Sequence, residues 1–246
     1  MSADFLSYVV IGFVAQLVDG TIGMAYGVIS TTALLSAGLS PLNVTANIHF
    51  AELLTGGVSG TVHARRGQVS WPLVKRLALT GSIGALVGAV LLVTVATRWL
   101  DGLRRAIALY LLILGGWLCW RALKRPEPRA RVADRAPALG LAGGLFDSAG
   151  GGWGPIVTSN LMVAGVEPAV AVGSSVIAEF VVTAVHAAVF AGLGGLRPEL
   201  PMAGLLAGGV IAAPMAARLA GRLPPRIIIG LVGIAVVMAS VLLILR

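Results

Sequence analysis

An all-α polytopic membrane protein, made of two tandem repeats of about four hydrophobic segments each, is the fold that three observations predict. The chain is 57% hydrophobic and only 11% charged, whereas a soluble domain carries about 25% charged residues. Apolar stretches long enough to cross about 30 Å of hydrocarbon follow one another with short interruptions. The stretch from Asp19 to Glu52 also returns, with a one-residue gap, as the stretch from Asp147 to Glu179. Asp19 then aligns with Asp147, Gly23 with Gly151, Gly27 with Gly154, Thr31 with Thr158, Pro41 with Pro168 and Glu52 with Glu179. Chance would match Ala, Gly and Leu in such a chain, but rarely its scarce acids and prolines, so the unit is duplicated.

The apolar segments fall at 5–36, 42–62, 72–95, 103–123, 138–164, 169–192, 201–219 and 227–245, eight in all and four per copy. Residues 1–123 form the first transmembrane repeat, 124–136 a basic linker and 137–246 the second repeat. The linker, with Pro126, Pro128 and several arginines, is the long polar interruption, and it falls where a duplication joins its halves. The first segment of each copy is broken by a Gly-rich stretch: Asp19, Gly20, Gly23 and Gly27 in one, Asp147, Gly150, Gly151, Gly152, Gly154 and Pro155 in the other. Glycine costs about 1 kcal/mol in a helix interior, and proline is comfortable only in a first turn, so each helix stops and a new one starts there. Gly81, Gly84, Gly88, Gly204 and Gly208 read as sites of close helix packing.

The net charge of +8 does not point to nucleic acid. Its basic residues sit in short runs between apolar segments, without interleaved aromatic residues, and read as topology signals and lipid-headgroup contacts. If all eight segments cross, the linker side carries 12 Lys and Arg against 6. If the first segment of each copy dips in and returns, the copies are inverted and the ratio is 13 to 5. Both arrangements put the linker in the cytoplasm, in a multi-pass protein of the cytoplasmic membrane. Cys119 has no second cysteine to pair with. The N-terminus lacks the basic start and cleavage site of a signal peptide, so the first segment is expected to be retained. No cofactor is expected; the partners are a small anion, the bilayer and possible further copies of the chain.

Of ten acidic residues, four lie inside apolar segments: Asp19, Glu52, Asp147 and Glu179. An ionised carboxylate there is costly and faces a cavity or a partner. Two roles stand for Glu52 and Glu179: to couple transport by taking protons, or to accept backbone N–H bonds. Asp19 and Asp147 sit where a restarting helix needs a cap. His49 and His186 fall on the helix faces of Glu52 and Glu179, as proton-relay partners or as polar groups bonded between helices. No metal site is expected, because no HExxH or paired-cysteine spacing is present. The restarted helices aim bare N–H groups at the midplane, an arrangement suited to an anion. Gly23, Gly27, Gly151, Gly152 and Gly154 would supply those groups, and Asn47, Ser174 and Ser175 neutral donors.

The segment DSAGGGWGPIV, the downstream PAVAVGSSVIAE and the tandem arrangement resemble the sulfite exporter family TauE/SafE, over both halves. The first copy departs from that pattern, with DGTIGMAYG lacking the triple glycine and ANIHFAE in place of the GSS run. The resemblance implies a secondary transporter, not an enzyme, that exports sulfite or a sulfonate, with alternating access as one repeat rocks against the other. Two other classes fit the same residues: a passive channel for small oxyanions, and an intramembrane hydrolase using Ser174 or Ser175 with His186.

Overall fold

The computed structural model describes residues 3–123, 132–193, 199–219, 222 and 224–245, and among these every regular element is helical. The first half runs α1 (Ala3–Ile22), α2 (Tyr26–Ser36), α3 (Pro41–Arg65), α4 (Trp71–Arg98) and α5 (Leu100–Leu123). The second half runs α6 (Val132–Asp147), a π-helical turn (Gly154–Thr158) that leads directly into α7 (Ser159–Val163), then α8 (Pro168–Leu193), α9 (Leu200–Leu219) and α10 (Pro225–Leu245). The break between α1 and α2 thus has its counterpart between α6 and the π-helical turn. Residues 124–131 of the expected linker lie outside the described residues, while its last part, from Val132, already belongs to α6.

Five helices among the described residues are long and apolar enough to cross a membrane: α1, α4, α5, α8 and α9. Helix α4 has 28 residues; at 1.5 Å per residue it is longer than the hydrocarbon is thick. Helix α3 is long enough, at 25 residues, yet is absent from that group. Its sequence explains why: Asn43, Asn47, His49, Glu52 and His63 lower its hydropathy, and all but Asn43 are buried. Ser40 starts this helix by accepting the Asn43 N–H at 3.4 Å, with Pro41 in the first turn.

The helices pair across the halves. Helix α1 packs along α9, and its counterpart α6 packs along α4; α5 lies against α10. Helices α3 and α8 pack on each other at the centre, flanked by α9 and α4. Glycine permits the crossed pairs to approach closely. A Cβ at Gly208 would stand 2.0 Å from the Val9 carbonyl oxygen, and one at Gly84 2.1 Å from that of Leu141. The backbones are therefore in direct contact, which is how membrane helices gain packing energy when lipid removes the hydrophobic drive between them. Two buried apolar clusters result, one on α2, α3 and α5 with parts of α1, α4, α8, α9 and α10, the other on the first part of α4, α6, the π-helical turn, α7 and α8.

Candidate functional site

Each break is built by residues in the left-handed backbone region. After α1 these are Gly23 (φ 72°) and Ala25 (φ 108°); after α6 they are Gly150 (φ 96°) and Gly151 (φ 117°). The breaks free backbone N–H groups where lipid cannot satisfy them, and the two aspartates do so instead. Asp147 Oδ1 accepts from the N–H groups of Gly152 at 3.0 Å and Trp153 at 3.1 Å. Asp19 Oδ1 accepts from the Tyr26 N–H at 3.4 Å. Both acids reach forward from the end of one helix to the start of the next, rather than standing at the cap position itself, which Ala25 and Trp153 occupy.

The two breaks lie back to back. A Cβ on Gly27 would meet Gly151 Cα at 2.6 Å, one on Gly154 would meet Met24 Cα at 2.4 Å, and one on Gly23 would meet Thr158 Cγ2 at 2.5 Å. The expected anion cradle between Gly23, Gly27, Gly151, Gly152 and Gly154 is therefore closed in this conformation, too narrow for a methyl group. The N–H groups of Gly152, Trp153 and Tyr26 are already given to carboxylates.

The expected neutral donors are spread apart and engaged. Asn47 Nδ2 donates to the Asn43 carbonyl at 2.7 Å and to Glu199 Oε2 at 3.5 Å, so it joins α3 to the head of α9. Ser174 Oγ accepts from the Ser70 N–H at 2.8 Å and so caps α4 from another helix. Ser175 Oγ accepts from Trp153 Nε1 at 2.9 Å and shares a hydrogen bond with Thr158 Oγ1 at 2.6 Å.

What the fold does bring together is the set of ionisable side chains. Asp19, Glu52, Asp147, Glu179, His49 and His186 are all buried, and Glu179, the most open of them, is 7% exposed. The carboxylate oxygens of Glu52, Asp147 and Glu179 lie within 4.8 Å of one another, and so do a ring nitrogen of His49, one of His186 and an oxygen of Asp147. His49 Nδ1 stands 3.5 Å from Glu52 Oε2 and 3.9 Å from Asp147 Oδ2, and His186 Nδ1 is 3.7 Å from the same Asp147 oxygen. The two imidazoles stack, and Phe190 lies against both. Among the described residues no lysine or arginine pairs with any of these acids. Sequence spacing had excluded a metal centre; convergence of ligands from α3, α6 and α8 is a product of the fold and leaves no spacing to find.

Ser148 and Trp153 were not singled out from the sequence. Ser148 Oγ donates to the Gly144 carbonyl at 3.3 Å and lies 2.9 Å from His186 Nε2, so the imidazole donates its Nε2 proton to the hydroxyl. Ser148, His186 and Asp147 have the order of a nucleophilic triad, but 3.7 Å is too long for the aspartate to hold the ring by a hydrogen bond. Ser174 and Ser175, the nucleophiles weighed for a hydrolase, are bonded elsewhere. A position next to Asp147, and the one aromatic residue inside a glycine cluster, were the available signals for these two residues.

Spanning helices that pair across two halves, two broken helices set back to back and acids buried at their meeting point define a polytopic helical membrane protein of the transporter class. The sulfite exporter TauE/SafE family matches residues 8–243, and the chain belongs to this family of membrane transporters. It is 37% identical over 233 residues to the probable membrane transporter protein YtnM of Bacillus subtilis (strain 168), covering 91% of this chain and 77% of that relative. No solved structure matches the chain.

Proposed function

We propose that this transporter exports a small sulfur-containing anion, sulfite or a sulfonate, across the cytoplasmic membrane, with the 124–136 segment on the cytoplasmic side, and that protons accompany the anion. The observation that carries the coupling is the convergence of Glu52, Asp147 and Glu179 within 4.8 Å at a buried centre without a lysine or arginine partner among the described residues. Two like charges 4 Å apart repel by about 4 kcal/mol at an effective dielectric of about 20. An anion does not enter such a centre unless positive charge arrives with it, and protons taken up at Glu52 and Glu179 supply that charge. Separation of the two breaks then opens space between them for the anion, on the side to which the centre opens.

The test is uptake of radiolabelled sulfite, with sulfate, sulfoacetate and chloride compared, into liposomes carrying the purified chain, with and without an imposed pH gradient. Accumulation of sulfite or a sulfonate driven by the gradient, lost in Glu52→Gln and Glu179→Gln, is the expected result. Equilibration of every anion regardless of the gradient would make the protein a channel. No movement of any of them would remove this substrate class.

A further inference from the structure

We infer that His49, His186 and Asp147 supply three ligands to a binding site for one divalent transition-metal ion of the zinc type. This goes beyond the transport reading and does not depend on it, because the ion binds without anion or gradient.

The first ground is a set of unused ligand atoms. Nδ1 of His49, Nδ1 of His186, Oδ2 of Asp147 and Oε2 of Glu52 are all buried and have no hydrogen-bond partner. Orphaned polar atoms at this density are rare in a folded protein and call for a missing partner. They face one another at 3.5, 3.7 and 3.9 Å, too far for hydrogen bonds. Around a tetrahedral zinc ion with bonds of about 2.0–2.2 Å, neighbouring ligand atoms stand roughly 3.4 Å apart. The two contacts of Asp147 Oδ2 with the histidines, 3.9 and 3.7 Å, are close to that spacing, and the ligand atoms of His49, Asp147 and His186 all lie within 4.8 Å of one another.

The second ground is the set of groups behind the ligands. A ligating histidine gives its other nitrogen's proton to a fixed acceptor, which sets the tautomer. His186 does this: Nε2 lies 2.9 Å from Ser148 Oγ and 3.2 Å from the Gly144 carbonyl, so Nδ1 keeps its lone pair. Asp147 is held the same way, since Oδ1 takes the N–H groups of Gly152 and Trp153 and Oδ2 is left facing the histidines. Two imidazoles and one carboxylate suit zinc, cobalt or nickel, whereas magnesium and calcium prefer oxygen alone. The ligands come from α3 in the first half and α6 and α8 in the second, so the ion would fasten the halves at their centre.

The test uses the full chain, purified without a histidine tag, stripped with a chelator and titrated in detergent with Co²⁺, whose visible absorption reports tetrahedral nitrogen and oxygen ligation. One Co²⁺ per chain, displaced by Zn²⁺, is expected. His49→Gln, the mildest change because that ring makes no hydrogen bond, should weaken binding at least tenfold, and Asp147→Asn likewise. Ser148→Ala, which leaves every ligand in place, should weaken it less but measurably. His63→Ala, a buried histidine bonded to Gln68 away from the centre, should bind as the wild type does. Absence of saturable binding in the wild type, or equal binding in the wild type and in monodisperse His49→Gln, would overturn the assignment.

Discussion

The imidazole of His49 lies over that of His186, with ring centroids 4.2 Å apart and planes inclined by 27°, tying α3 to α8 at the level of the buried acids. The two rings are not equivalent in what holds them. His186 is bonded to Ser148 and Gly144, while His49 has no hydrogen bond at either nitrogen. In chelator-stripped protein His49→Phe therefore keeps a ring in the stack and should unfold within about 1 kcal/mol of the wild type. His186→Phe leaves the Ser148 hydroxyl without its donor and should cost about 1–3 kcal/mol. Thermal unfolding of the purified variants in detergent measures the difference.

The contact between the breaks predicts a contrast between two glycines. Gly151→Ala puts a Cβ 2.3 Å from the Val28 nitrogen at a residue with φ 117°. Strain and overpacking together should cost about 3 kcal/mol or more. Gly56→Ala, in the middle of α3 with open space around it, should gain up to about 1 kcal/mol of helix propensity. Unfolding midpoints in detergent should move in opposite directions.

Ala25 is the one non-glycine residue of positive φ among those described, at 108°. Replacing it with glycine relieves about 1–2 kcal/mol of left-handed strain, less the packing of one methyl group. Ala25→Gly should therefore raise the unfolding temperature, and an unchanged or lower value would show that the methyl contact outweighs the strain.

Ser174→Ala removes the acceptor that caps α4 from another helix, the 2.8 Å bond from the Ser70 N–H. A cost of about 1 kcal/mol is expected. Amide hydrogen exchange should locate it, with faster exchange at the head of α4 and little change at the head of α9.

Much of the fold follows from composition and pattern. The segment at 169–192 became α8 and that at 72–95 became α4 with only a residue or a few added at each end, because long apolar runs between prolines and charges leave the chain little choice. The breaks were legible too, since glycines at membrane depth and a proline in a first turn have few other uses. The candidate site was legible only in its members. Asp19, Glu52, Asp147 and Glu179 stood out as acids in apolar segments, and the histidines as their neighbours. What each one touches is set by how α3, α6 and α8 meet, and that information is spread over glycines such as Gly84 and Gly144 that carry no chemistry themselves. Asn47, Ser174 and Ser175 look like donors in a sequence because a sequence does not show which donors the neighbouring helix ends have already claimed.

The exchange of partners between α1 and α6, each lying along a helix of the other half, has a mechanical consequence. Severing the backbone anywhere between residues 124 and 131 would not yield two separable pieces, for each fragment clasps the other through a glycine-lined seam. For the same reason the most closely packed groups of helices do not coincide with the two halves of the sequence. A hinge that parts α1 from α9 would have to open one of the closest seams in the molecule, whereas one that carries them together disturbs neither. The basic linker divides the chain near its middle; packing divides it between mixed groups of helices drawn from both sides of that point.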